Sequence, residues 1–288
     1  MDFFKKLGST QEKPVLMKKY LLLLAAAPFL FISSCGSDDE VVIEPDTTLD
    51  LVFKANYGAD VAAMQEEFTY GDGKAIKFVQ LDFYVANIAL MQQNTPESPE
   101  TELKEIDFVN LSFTNQEDAE AGYTISLDQV PAGNYAGMKI GIGIPADLNR
   151  TVPEDYGSNH VLSKNSHYWE GWESYIFAKI EAGADLDGQN GIVLGGANSE
   201  GLSYHMGTDE VYYEVIIPQT IELIEDVPFS IDLNVDLNEV FKTTNPLHDT
   251  NGDGYLDIET FKGTHTEDNL SVAKKLMENL GNSITLDF

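Results

Sequence analysis

Residues 229–238 read Phe-Ser-Ile-Asp-Leu-Asn-Val-Asp-Leu-Asn, with Phe229, Ile231, Leu233, Val235 and Leu237 alternating with Ser230, Asp232, Asn234, Asp236 and Asn238. Side chains of an extended chain leave alternately on two faces, so this stretch encodes a strand with one buried and one wet face. The same period runs through Leu49, Leu51, Phe53, Ala55 and Tyr57, and through Met138, Ile140, Ile142 and Ile144. Further strands are predicted over 76–90, 174–180, 211–217 and 284–288. Turn signals separate them: Tyr70-Gly71-Asp72-Gly73, Pro131-Ala132-Gly133-Asn134 and the glycine-rich stretch 188–201. One helix is expected near the end, capped by Asp268 or Asn269, with Leu270, Ala273, Leu276, Met277 and Leu280 on its apolar face and Gly281 at C′. Many short strands and little helix predict an all-β chain, an antiparallel β-sandwich with a short C-terminal helix.

The start of the chain carries an address. Lys18 and Lys19 precede an apolar run of 13 residues, Tyr20 to Ile32, too short to span a bilayer but suited to a signal peptide. Ile32-Ser33-Ser34-Cys35-Gly36 resembles a lipobox, which implies cleavage before Cys35, lipid on that cysteine and a membrane anchor. Cys35 is the only cysteine, so no disulfide is expected. Gly36-Ser37-Asp38-Asp39-Glu40 resembles an acidic sorting signal for the outer face of the outer membrane. The expected organisation is a leader and signal peptide over 1–34, an acidic tether over 35–47 and one domain over 48–288.

The chain's net charge is −31, and removing a leader with five lysines and two acids leaves the mature part at −34. A surface this acidic repels nucleic acid, and no nucleic-acid partner is expected. Catalysis is not expected either. Ala197-Asn198-Ser199-Glu200-Gly201 lacks the first glycine of a nucleophile elbow and has no α/β order around it.

Two patterns point to metal. Asp249-Thr250-Asn251-Gly252-Asp253-Gly254-Tyr255-Leu256-Asp257 spaces carboxylate and amide oxygens as calcium loops do. Asp249, Asn251, Asp253 and Asp257 would contribute side-chain oxygens, Tyr255 its carbonyl, and Gly254 the sharp turn. Position 12 holds Thr260 in place of an EF-hand glutamate, and Asn245-Pro246 forbids an entering helix. The other pattern is the histidines. There are five, His160, His167, His205, His248 and His265, and imidazole suits copper and zinc, with Met206 as an available thioether. No pair has H-x-H or H-x3-H spacing, so any site must be assembled by the fold. The aromatic group Tyr168, Trp169, Trp172, Tyr175 and Phe177 reads either as sandwich core or as a carbohydrate platform.

From Leu51 onward the order of motifs resembles the MbnP-like proteins, bacterial lipoproteins and periplasmic proteins linked to copper. The matching pieces are 81–88 (LDFYVANI), 130–135 (VPAGNY), 140–144 (IGIGI) with Asn149, and Tyr168-Trp169 running into 175–181 (YIFAKIE). His205-Met206-Gly207, Val235-Asp236-Leu237-Asn238 and residues 274–279 follow. Members of that family are β-sandwiches. Some bind copper through histidines, and in some a tryptophan near the site is oxidised to kynurenine by a partner haem enzyme. The resemblance implies copper at His205, then His167, His160 and His265, with Trp169 as the aromatic neighbour, in a protein that acquires or handles metal. Where the family often has a histidine on the first strand, this chain has Ala55 and Asn56. The alternative is a calcium-braced adhesion or glycan-binding lipoprotein with no transition metal.

Overall fold

The computed structural model describes residues 46–92, 100–188, 191–194 and 200–288. The segment expected to be a signal peptide, Cys35 and the serine of the elbow-like motif lie outside the described residues. Fourteen strands and four short α-helices follow in chain order: β1 (Asp46–Tyr57), β2 (Asp60–Val61), β3 (Phe68–Thr69), β4 (Ala75–Gln92), β5 (Thr101–Asn110), α1 (Gln116–Ala121), β6 (Tyr123–Pro131), β7 (Gly133–Ile142) and α2 (Ala146–Asn149). The second half comprises β8 (Tyr168–Trp169), β9 (Ser174–Ala184), β10 (Gly201–Gly207), β11 (Tyr213–Leu223), β12 (Phe229–Asp236), α3 (Leu237–Val240), β13 (Gly263–His265), α4 (Leu270–Asn282) and β14 (Ile284–Asp287).

The strands form two sheets. In the smaller, β14, β12, β1 and β2 lie side by side and β6 also pairs with β1. In the larger the order is β11-β7-β4-β9-β10-β13, with β3 and β5 on β4 and β8 on β9. The long β4 organises this sheet: its first half pairs with β9, its second half with β7, and β5 runs along residues 82–90. The architecture is a β-sandwich, but its sheets are mixed. β1 runs parallel to β12, and β10 runs parallel to β13, in contrast to the all-antiparallel expectation. Alternation reports which residues are buried and is silent on strand direction.

Leu51, Phe53 and Ala55 stand level with Ile231, Leu233 and Val235, all buried. Phe53 meets Phe83 of the opposite sheet edge to face at 6.2 Å between ring centroids. The first strand begins at Asp46, earlier than the expected tether boundary, because Thr47 is buried: its backbone pairs with Val130 and its hydroxyl donates to the Val227 carbonyl at 2.6 Å. β11 begins at Tyr213, since Asp209–Val211 form a 3-10 turn. Of the apolar face expected for α4, Ala273, Leu276, Met277 and Leu280 are buried, whereas Leu270 at its start is exposed. Gly281, however, is a helical residue and not a C′ cap. A Cβ there would stand 2.8 Å from the Tyr213 ring, so glycine serves close packing against β11. Among the described residues no helix is long and apolar enough to cross a membrane.

If the two sheets are held by this aromatic contact, Phe53→Ala should cost about 3–5 kcal/mol in urea unfolding. A loss under about 1 kcal/mol would show that the sheets do not depend on it.

Candidate metal centre

β10 has two faces. Leu202, Tyr204 and Met206 are buried in the core, and Ser203 and His205 are the half-buried positions between them. Its parallel partner β13 enters in the register Ser203↔Gly263, Tyr204↔Thr264, His205↔His265. Level residues on neighbouring strands leave on the same face, so the two imidazoles become neighbours, 5.3 Å between ring centroids and 83° between planes. Met206 is fully buried on the opposite face, which removes it as a thioether ligand beside His205.

Glu181 of β9 accepts a hydrogen bond at His205 Nε2, 2.9 Å away, and Ser203 Oγ stands 3.3 Å from the same nitrogen. Burial pushes the His205 pKa below its ordinary value, against the opposing pull of Glu181. The His265 ring lies 6.2 Å from Trp169, which is 5.7 Å from Trp172. Asp268 Oδ2 is 3.8 Å from His265 Nδ1. Trp169, Trp172, His265, Glu267 and Asp268 border a surface depression of about 340 Å³. Trp169 is 45% exposed, its indole Nε1 close over Gly171, where a Cβ would lie 2.7 Å away.

The other expected histidine ligands are elsewhere. His167 is buried; its Nε2 is 2.8 Å from Asp82 Oδ1 and its Nδ1 3.1 Å from Ser166 Oγ, with the Phe108 ring edge-on at 4.7 Å. Both of its nitrogens are engaged. His160 accepts from the Leu162 N–H through Nδ1 at 3.1 Å and stacks on Tyr156 at 4.2 Å. His248 contacts Ser271 Oγ at 3.0 Å, and burial lowers its pKa. The structure therefore joins His205 with His265 and leaves His167 and His160 apart from them. The aromatic group divides in the same way: Tyr175 and Phe177 are core, whereas Trp169 and Trp172 reach the surface. Glu181 is a member that the sequence reading missed, although the period of β9 was its signal.

In the 249–257 loop, Asp249 Oδ1 accepts from Gly252 and Asp253 N–H at 2.7 and 3.0 Å, and Oδ2 from Gly254 N–H at 3.0 Å. Asn251 Oδ1 accepts from Asp253 N–H at 3.3 Å and Asp253 Oδ1 from Tyr255 N–H at 2.8 Å. Gly254 has φ 87°, as the turn requires. Asp257 faces another way, accepting from the hydroxyls of Thr250 and Thr260 and from the backbone of Glu259 and Thr260. Burial alone would raise its pKa, but these donors outweigh it and hold the carboxyl below the ordinary range. The Tyr255 ring packs 5.4 Å from Tyr70, and its hydroxyl donates to Asn238 Oδ1. A third acidic group, Asp185, Asp187 and Glu200, has side-chain oxygens within 4.8 Å of one another. Glu200 there accepts from the Leu186 and Val193 N–H groups at 2.8 and 2.9 Å.

The fold and this surface define a mixed-sheet β-sandwich with an imidazole pair and an indole on its larger sheet. The chain belongs to the MbnP family, which it matches over residues 46–257. A solved structure, MbnP from Methylosinus trichosporium, superposes with a TM-score of 0.44 at 12% identity, covering 67% of this chain and 76% of that one. That likeness is too distant to transfer residue roles. Among curated proteins none matches.

His167→Ala should destabilise the domain by about 1–3 kcal/mol, because it leaves the buried Asp82 Oδ1 without its partner while Oδ2 keeps the Gln80 amide. Metal uptake by the refolded variant should be unchanged. Lost uptake with unchanged stability would return His167 to the ligand set.

Proposed function

We propose that the protein is an exported lipoprotein that binds copper at His205 and His265, for acquisition or handling of the metal. The observation that carries this reading is the in-register imidazole pair beside Trp169, in a chain of the MbnP family. With Glu181 accepting from Nε2–H of His205, Nδ1 of that ring remains as the ligand atom, and the carboxylate orients it. Imidazole and carboxylate donors hold Cu2+ more tightly than Zn2+ in the Irving–Williams order, which favours copper over zinc. Trp169 is the aromatic neighbour open to oxidation by a haem-enzyme partner, since nearly half of it faces solvent. The lipobox-like sequence at Cys35 and the acidic residues after it support anchoring on the outer membrane, facing outward.

The first test is metal analysis of the mature protein from its native export route, followed by copper titration. One equivalent of copper that disappears in His205→Ala/His265→Ala is the expected result. Uptake that survives loss of both histidines would overturn the assignment.

We also propose that the 249–257 loop takes calcium as a brace. Supporting this, the loop's own N–H groups already gather the oxygens of Asp249, Asn251 and Asp253. Calcium removal by a chelator should lower the melting temperature of the native protein and leave that of Asp249→Asn/Asp253→Asn unmoved. An identical chelator response in both proteins would exclude the loop.

A further inference from the structure

Trp172 and Glu267 also border a second, larger cavity of about 530 Å³, within the range of small-ligand sites. Its floor is fixed by buried polar groups that hydrogen-bond within the fold. Asn149 Oδ1 accepts from Ser174 Oγ and from Tyr175 N–H, both at 3.0 Å, and its Nδ2 donates to Asp209 Oδ1 at 2.8 Å. Thr266 Oγ1 accepts from Gly207 N–H at 2.8 Å and donates to the Gly207 carbonyl at 3.1 Å. Three of the seven non-glycine residues with positive φ among the described residues line this one cavity: Glu173 (50°), Thr208 (72°) and Thr266 (45°). Backbone of this kind is strained, and such strain concentrates where a surface is shaped for a ligand.

The walls carry the unspent chemistry. Trp172 rests on Gly207, where a Cβ would stand 3.1 Å from the indole, so the ring is held in place. Arg150 is the only arginine of the chain and makes no ion pair with the described residues. Glu173 and Glu267 are exposed beside it, and Glu210 accepts from the Thr208 hydroxyl at 2.7 Å.

These groups select a class of ligand. A cation would suit the carboxylates and the indole but face an unpaired guanidinium. An anion would suit Arg150 but face the surrounding carboxylates. A neutral polyhydroxyl compound uses every wall, because each hydroxyl both donates and accepts. Its hydroxyls donate to Glu173 and Glu267 and accept from Arg150, and its C–H face covers Trp172. We infer that this cavity binds a neutral saccharide, stacked on Trp172 and held between Arg150 and the carboxylates of Glu173 and Glu267. The site uses neither imidazole, although Trp172 and Glu267 also border the depression beside His265.

The experiment is calorimetry and tryptophan fluorescence on the full mature chain, with maltose, cellobiose and diacetylchitobiose as neutral probes and lysine, glutamate and choline as charged ones. At least one neutral disaccharide is expected to bind at about 1 mM or tighter. Arg150→Gln and Glu267→Gln change exposed side chains and should keep the melting temperature, yet each should weaken binding about tenfold or more. Trp172→Phe should weaken it as well, whereas His205→Ala should not. The inference is overturned if no neutral disaccharide binds at about 10 mM, if a charged probe binds more tightly, or if Arg150→Gln and Glu267→Gln leave affinity unchanged.

Discussion

Everything else in this fold depends on one double row of apolar side chains. Leu51, Phe53 and Ala55 of β1 lie level with Ile231, Leu233 and Val235 of β12 because the strands run parallel in strict register. A slip of β1 by one residue would turn Val52, Lys54 and Asn56 inward beside Ile231, Leu233 and Val235, at a cost no marginally stable domain could bear. The register therefore fixes the face that the small sheet offers. The large sheet must cover that face, which commits its opposite face, and whatever chemistry lies there, to the outside.

The imidazole pair is a consequence of that commitment. Within β10, Tyr204 and Met206 satisfy the core, so His205 between them faces out and meets Glu181 of β9. The parallel approach of β13 then places His265 level with it. The same alternation consigns Tyr175 and Phe177 to the core and leaves Trp169, in the short β8, at the surface. Chemistry here is sorted by the pleat more than by residue type.

This explains what was legible in the sequence. Burial along Leu49–Tyr57, Met138–Ile144 and Phe229–Asp236 could be read directly, because a half-buried strand writes its own period. Strand direction could not, because parallel and antiparallel partners bury the same row. For that reason the meeting of His205 with His265, 60 positions apart, had no local signature. His167 stands next after His205 as a candidate in sequence, since each sits beside an aromatic or sulfur-bearing residue. Only the fold reveals that Asp82 of β4 reaches His167 and engages its second nitrogen. Gly281 misled for a related reason: its freedom is used for contact with Tyr213 and not to end the helix.

The oxygen-rich loop and the imidazole pair are mechanically joined. Asp257 ends the loop; its carbonyl accepts from Phe261 N–H at 2.8 Å, and the Phe261 carbonyl accepts from the Tyr204 hydroxyl at 2.7 Å. The next carbonyl, that of Lys262, accepts from Ser203 N–H at 2.9 Å and opens the β10–β13 pairing that carries His265 to its place. The length and shape of this path leave His265 little freedom once the loop is closed. The Asp249 and Asp253 carboxylates, gathered with the Asn251 amide, repel each other unless a cation or the loop's own N–H groups hold them. Order in the loop and the approach of the two imidazoles thus share one hydrogen-bonded path.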